Sequence, residues 1–176
     1  MPNWCSGNIR FRGNIDDILK LLNENIIICT YADELNENNQ ISTICSTPRI
    51  KTEKIKDEVI EVSISAESNK SWFYINNTHR NFLNNFDSSI ISSDVCKLKD
   101  GRYIVTFSEF QAAWGIEAEP YIEISKKYNV DIHIFGWEQG MEYDQEIEVI
   151  NGELKKNILN DGDDWKWSTA MPYIGG

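Results

Sequence analysis

The stretch VDIHIFGWEQGMEYDQEIEV, residues 130–149, concentrates the side chains that could do chemistry. If it forms a hairpin with Trp137 opposite Glu142, then Phe135 faces Asp144, His133 faces Glu146 and Asp131 faces Glu148. Strand side chains alternate, so these eight residues share one face. Val130, Ile132, Ile134, Tyr143, Ile147 and Val149 share the other face, as core. The first face carries five carboxylates, one imidazole and two large aromatics. Three chemistries suit it. It can be a solvated sheet face, with Phe135 and Trp137 covered by the C-terminal stretch. It can bind a protein, with aromatics as anchors and carboxylates selecting a basic partner. It can also serve a hydrolase that holds magnesium on Glu138, Glu142 and Asp144.

Other routes to catalysis are thin. His79 and His133 are the only imidazoles, and there is no P-loop, no GxGxxG and no nucleophile elbow. His79 sits beside Arg80 at an expected helix start, where a capping or surface role is commoner. Cys5, Cys29, Cys45 and Cys96 are dispersed with no CxxC pair, so they are expected to be small reduced hydrophobes rather than zinc ligands. DGDDW, residues 161–165, lacks the spacing and closing Glu of a calcium loop. No metal or cofactor is expected, and a non-enzymatic protein is the favoured reading. Trp165 and Trp167 are expected to staple the C-terminus, and Trp114 to fill the joint before the helix at Pro120.

The charge balance narrows the partner. The chain carries a net −11 and a pI near 4.6. Residues 131–176 hold ten Asp or Glu against three Lys, net −7, so the last quarter carries most of it. Such a surface repels nucleic-acid phosphates and favours a basic protein. The opening MPNWCSGNIRFRG has no basic region followed by an apolar run, and IIIC is the longest aliphatic run. Neither a signal peptide nor a membrane span is expected, and the expected compartment is the cytoplasm.

The elements follow from periodicity. In CSGNIRFRG, Cys5, Gly7, Ile9 and Phe11 alternate as the inner face of a strand. Asn14 then caps a helix over 15–24, with Asp17 in a capping-box position. IIICT is a short strand, and residues 31–57 read as mostly loop. VIEVSISAE is a strand with Ile60, Val62, Ile64 and Ala66 on one face, and SWFYI is another. NNTHRNFLNNF reads as a capped helix with Phe82, Leu83 and Phe86 inward. DGRYIVTFS turns into a strand with Tyr103, Val105 and Phe107 inward. EAEPYIEISKKYN is the strongest helix, with Tyr121, Ile124 and Tyr128 as its inner stripe. The order implies one α+β domain over residues 1–176, a sandwich with helices packed on one face of a mainly antiparallel sheet.

The MPNWCSGNIRFRG opening, with FQAAWG, AEPYIEISKKY and IFGWEQGMEY after it, resembles the YubB-like family of phage- and plasmid-encoded proteins with a ferredoxin-like domain. The resemblance implies a ferredoxin-like core and a small cytoplasmic mobile-element protein, and it supplies no activity. Joined to the acidic charge, it leads to the expectation of a host-protein binder, such as an anti-CRISPR or anti-restriction inhibitor that occupies the basic channel of a nucleic-acid-binding defence effector. The expected contact residues are Asp131, His133, Phe135, Trp137, Glu142, Asp144, Glu146 and Glu148. The alternatives are the metal-dependent hydrolase and a structural or oligomerisation module of the element.

Overall fold

The computed structural model describes residues 3–35, 41–68, 71–83 and 89–161. Phe86, the C-terminal tryptophans and the DGDDW stretch beyond Asp161 lie outside the described residues.

The expected alternation opens the fold. Strand β1 (Trp4–Gly13) buries Cys5, Gly7, Ile9, Phe11 and Gly13 and turns its other residues outward. Helix α1 (Ile15–Asn25) follows, with Asp16 and Asp17 in its positively polarised first turn and Ile18, Leu21 and Leu22 buried. Asn14 precedes it in extended geometry but makes no side-chain cap bond, so the expected capping box is absent.

The next segment departs from expectation. IIICT and VIEVSISAE are strands as expected, in β2 (Ile26–Leu35) and β5 (Glu58–Ser65), but the expected loop over 31–57 holds the end of β2, β3 (Ile41–Ser46) and β4 (Arg49–Ile55). β3 and β4 each lie at a sheet edge, and β4 is exposed along nearly its whole length, so it needs no apolar alternation. Lys56 and Asp57, both at positive φ, join β4 to β5 in the tight turn that hairpins favour. In β5, Ile60 points outward and Val59 inward, because a bulge interrupts the β4–β5 register there; Val62 and Ile64 are buried as expected.

After β6 (Ser71–Ile75), the expected helix over NNTHRNFLNNF is replaced by turns leading to the short β7 (Asn81–Phe82). Asn77 and Arg80 take positive φ, and the Thr78 hydroxyl donates to the Ile75 carbonyl at 2.6 Å and accepts from Asn81 N–H. Such local side-chain bonds compete with helix formation. Strand β8 (Ile90–Lys97) leads to β9 (Tyr103–Ala113), which buries Tyr103, Val105 and Phe107 as expected. A bulge against β1 then resets the phase, so Phe110 also points inward, three residues after Phe107.

Helix α2 (Glu119–Tyr128) matches its expected inner stripe of Tyr121, Ile124 and Tyr128. Asn129 ends it in left-handed geometry. Strands β10 (Asp131–Glu138), β11 (Tyr143–Ile150) and β12 (Glu153–Asp161) complete the chain. Asn151-Gly152, both at positive φ, make the last turn.

The ferredoxin-like α+β sandwich is therefore overturned. Among the described residues there are two helices and a single 12-stranded sheet, and all its pairings are antiparallel. Its main path runs β12-β11-β10-β1-β9-β7-β6-β2-β3. β9 also pairs with β8 through its first half, and β8 leads to β5 and β4. The two helices touch each other and lie against the inner face. Buried residues from both helices and from strands along both branches form one apolar cluster.

β1 is tightly fitted to β10. Gly7 lies directly opposite Gly136. A Cβ on Gly7 would sit 1.9 Å from the Phe135 carbonyl oxygen, and one on Gly136 would sit 2.5 Å from Cys5 Sγ. Of the cysteines, only Cys5 is the buried hydrophobe expected; Cys29 is half-buried, and Cys45 and Cys96 are exposed.

Gly7→Ala must displace backbone, so urea denaturation should show a loss of about 3 kcal/mol or more, at or beyond the upper end for overpacked sites. Gly115→Ala, whose new Cβ would meet only Gln145 Oε1 at 3.6 Å, should leave the midpoint nearly unchanged. Equal losses in the two variants would contradict the close approach.

Candidate functional site

The β10–β11 hairpin keeps the expected faces but not the expected register. Glu138 pairs with Tyr143, so Trp137 faces Asp144, Phe135 faces Glu146 and His133 faces Glu148. The slip is two positions, which preserves the side of the sheet each residue occupies. Its cause is local. The Glu138 carboxylate accepts the Gly140 and Met141 N–H groups, and Glu142 takes a positive φ, so the turn consumes Glu142. Glu142 is exposed in that turn, off the ladder.

The face is not an open field of repelling carboxylates. Asp131 accepts from Arg12 Nε and Nη2 at 2.9 and 2.8 Å and from Asn151 N–H, with Arg102 at 3.6 Å. Glu146 holds His133 Nε2 at 2.9 Å and Lys156 Nζ at 3.0 Å. Asp144 is only 2% exposed and accepts from Asn160. Phe135, Trp137, His133 and Glu148 are half-buried. Cations from β1 and β12 thus answer the hairpin's carboxylates, and four of the eight expected contact residues, Asp131, His133, Asp144 and Glu146, are bonded within the protein. The proposed magnesium ligands are also parted: Glu138 caps the turn, Glu142 is in it, and Asp144 is buried. Among the described residues, no three His, Cys, Asp or Glu side chains are grouped to hold a metal ion.

A different site lies at the hairpin end of the sheet. An open cavity of about 590 Å³ is lined by residues that include His79, Trp114, Glu117, Met141, Leu159 and Asp161. Its floor is built by Gln145, buried opposite Gly136. The Gln145 amide oxygen accepts Ile116 N–H at 2.9 Å, and its Nε2 donates to the Ile116 carbonyl at 2.8 Å. The carboxamide thereby imitates a strand neighbour for the backbone between β9 and α2. Tyr143 adds a second tie, donating its hydroxyl to the Trp114 carbonyl at 2.9 Å. Burial first, then the neighbouring Cys5, raises the Tyr143 phenol above its usual range, so it stays a neutral donor. Burial likewise pushes the Cys5 thiol up to about 12, which removes it as a nucleophile.

Trp114 is the residue that stands out. It does not fill the joint before α2; it is 56% exposed and sits at a φ of 66°. A bulky residue there costs about 1–2 kcal/mol of backbone strain. Its backbone N–H donates to the Asn3 carbonyl. The Arg80 guanidinium lies 5.5 Å from its ring and 5.6 Å from that of Trp4, in cation–π range of both. His79 stands 6.0 Å away, in a turn rather than at a helix start. Met141 and Leu159 are 62% and 56% exposed on the same rim. These three large apolar side chains surround one cavity instead of being scattered singly. Sequence reasoning missed them because nothing in AAWG, QGME or ILND marks exposure.

Neither a family model, nor a curated protein, nor a solved structure matches the chain.

Glu146 offers a test of the neutralised face. Its partial burial pushes the carboxyl upward, but His133 and Lys156 together outweigh that and hold it below its ordinary 4.5. The stabilisation is then complete above the unfolded pKa and fades as pH falls through the lower folded value. Wild type should exceed Glu146→Gln in stability at pH 7, and the gap should close below about pH 4. A gap that stays constant down to strong acid in urea titrations would contradict the pairing.

Proposed function

We propose that the chain is a non-enzymatic binding protein whose contact surface is the cavity rim formed by Trp114, Met141 and Leu159. The observation that supports it most is a strained, exposed tryptophan held by fixed hydrogen bonds beside two other exposed large apolar residues. Backbone strain is retained where surrounding structure over-determines it, and such positions cluster at functional sites. Exposed Trp and Met around a concavity match the anchors of protein interfaces. Glu117 and Asp161 line the same cavity, Glu142 follows Met141, and the chain as a whole carries −11. The partner that fits presents an apolar side chain flanked by Lys or Arg. The resemblance to phage- and plasmid-encoded proteins extends this to a cytoplasmic setting and a basic, nucleic-acid-handling host protein, with inhibition of a defence effector as the use.

The test is affinity capture from host lysate, followed by kinetics with the captured protein. Trp114→Gly removes the ring while relieving the backbone, so stability should move by no more than about 1 kcal/mol. Binding should weaken about 30-fold or more, mainly through faster dissociation, as for a central anchor. Asp161→Lys with Glu117→Lys should slow association and flatten its salt dependence. Trp137→Ala should instead lower stability and leave the dissociation rate alone. Binding lost with Trp137 and untouched by Trp114→Gly would overturn this assignment.

A further inference from the structure

Two cysteines that the sequence separates are neighbours in the fold. Cys29 on β2 and Cys45 on β3 are directly opposed across the antiparallel ladder. Their sulfurs are 3.5 Å apart. Directly opposed residues in such a ladder have Cα atoms about 4.5–5.5 Å apart. That lies inside the roughly 4.4–6.8 Å range a disulfide requires. Cys45 is exposed and Cys29 half-buried, so reagents reach the pair. The remaining cysteines are placed otherwise: Cys5 is buried in the core, and Cys96 lies on β8, opposite Ile104.

We propose that Cys29 and Cys45 are a reversible thiol–disulfide modification site that accepts low-molecular-weight disulfides such as oxidised glutathione. The Cys45 thiolate attacks one sulfur of the glutathione disulfide. That S–S bond breaks, and its electron pair leaves with the first glutathione as a thiolate. The Cys29 thiol then loses its proton to solvent and attacks Cys45 Sγ, displacing the second glutathione. The protein loses two electrons, the glutathione disulfide gains them, and the two cysteine protons end on two glutathione thiols. The order follows from accessibility. Burial, followed by the neighbouring Cys45 thiol, pushes the Cys29 thiol up to about 11, which makes it the slower first attacker. The product fastens β3, an edge strand whose ladder partner is β2, covalently to the sheet.

The reduced full-length protein should be equilibrated with glutathione mixtures, its free thiols alkylated, and its peptides mapped by mass spectrometry. The expected product is an intramolecular Cys29–Cys45 disulfide, lost on adding dithiothreitol. Cys29→Ser should leave Cys45 trapped as a glutathione adduct, and Cys45→Ser should leave Cys29 reduced. Repeating the equilibration in urea should lower the preference for this pair, over pairs with Cys96, by at least about tenfold, because the folded geometry supplies the proximity. Separate glutathione adducts on Cys29 and Cys45 in the folded wild type would overturn the proposal. So would an equal preference in folded and unfolded protein.

Discussion

The close contact of Gly7 with Gly136 is the constraint on which the rest depends. β1 is the strand between β9 and β10, and its fit to β10 leaves no room for a Cβ on either glycine. The space so freed is taken by Cys5 Sγ and the Ile116 side chain, both in reach of a Cβ at Gly136. Gln145, next in the same row, can then close on the Ile116 backbone with both ends of its carboxamide. That bond pair holds the segment after β9 against the hairpin, and with it the backbone of Trp114. The Gly136 position thus lets Cys5 and Ile116 pack where a methyl group would stand, beside the segment that carries Trp114.

Electrostatics act differently here than the net charge suggests. The acidic hairpin residues meet cations from outside the hairpin, Arg12 and Arg102 at Asp131 and Lys156 at Glu146, and Glu146 also hydrogen-bonds His133. Partly exposed pairs of this kind contribute only about 0–1 kcal/mol each to stability. They do, however, cancel local field, so this face is a poor guide for a cationic partner. In the proposed binding mode the excess charge would act instead at long range, as steering, which is sensitive to ionic strength. In that mode anchoring falls to apolar groups that a partner would desolvate, and the exposed Trp114, Met141 and Leu159 on the cavity rim are of that kind.

Much of the interior was legible in the sequence, and most of the edges were not. β1, β9, α1 and α2 announce themselves because one face of each is buried, which imposes alternation or a helical stripe. β4 and β12 are exposed edge strands, so burial imposes no pattern on RIKTEKI or ELKKNILND. Lys56-Asp57 forms a tight hairpin turn without the usual glycine, whereas Asn151-Gly152 has the familiar signature but leads into an unpatterned strand. The helix expected over NNTHRNFLNNF is absent from its described part, where Asn77 and Arg80 adopt left-handed geometry and the Thr78 hydroxyl bonds Ile75 and Asn81 of the turn. In the hairpin, parity was readable from the pleat. Register was not, since it hinges on the Glu138 carboxylate and the positive φ of Glu142. The cavity residues come from four separate segments, and the Cys29–Cys45 contact joins strands 16 positions apart. Such meetings are set by topology, which local pattern does not encode.

The most direct test of the central claim is an amide and indole NMR titration of the isotope-labelled protein with a short peptide carrying one leucine between lysines and arginines. Saturable shifts are expected at the Trp114 indole and at Ile116, Met141 and Leu159, weakening as salt is raised, with the Trp137 indole and His133 unmoved. Shifts confined to Trp137, His133 and Glu148 would contradict the claim.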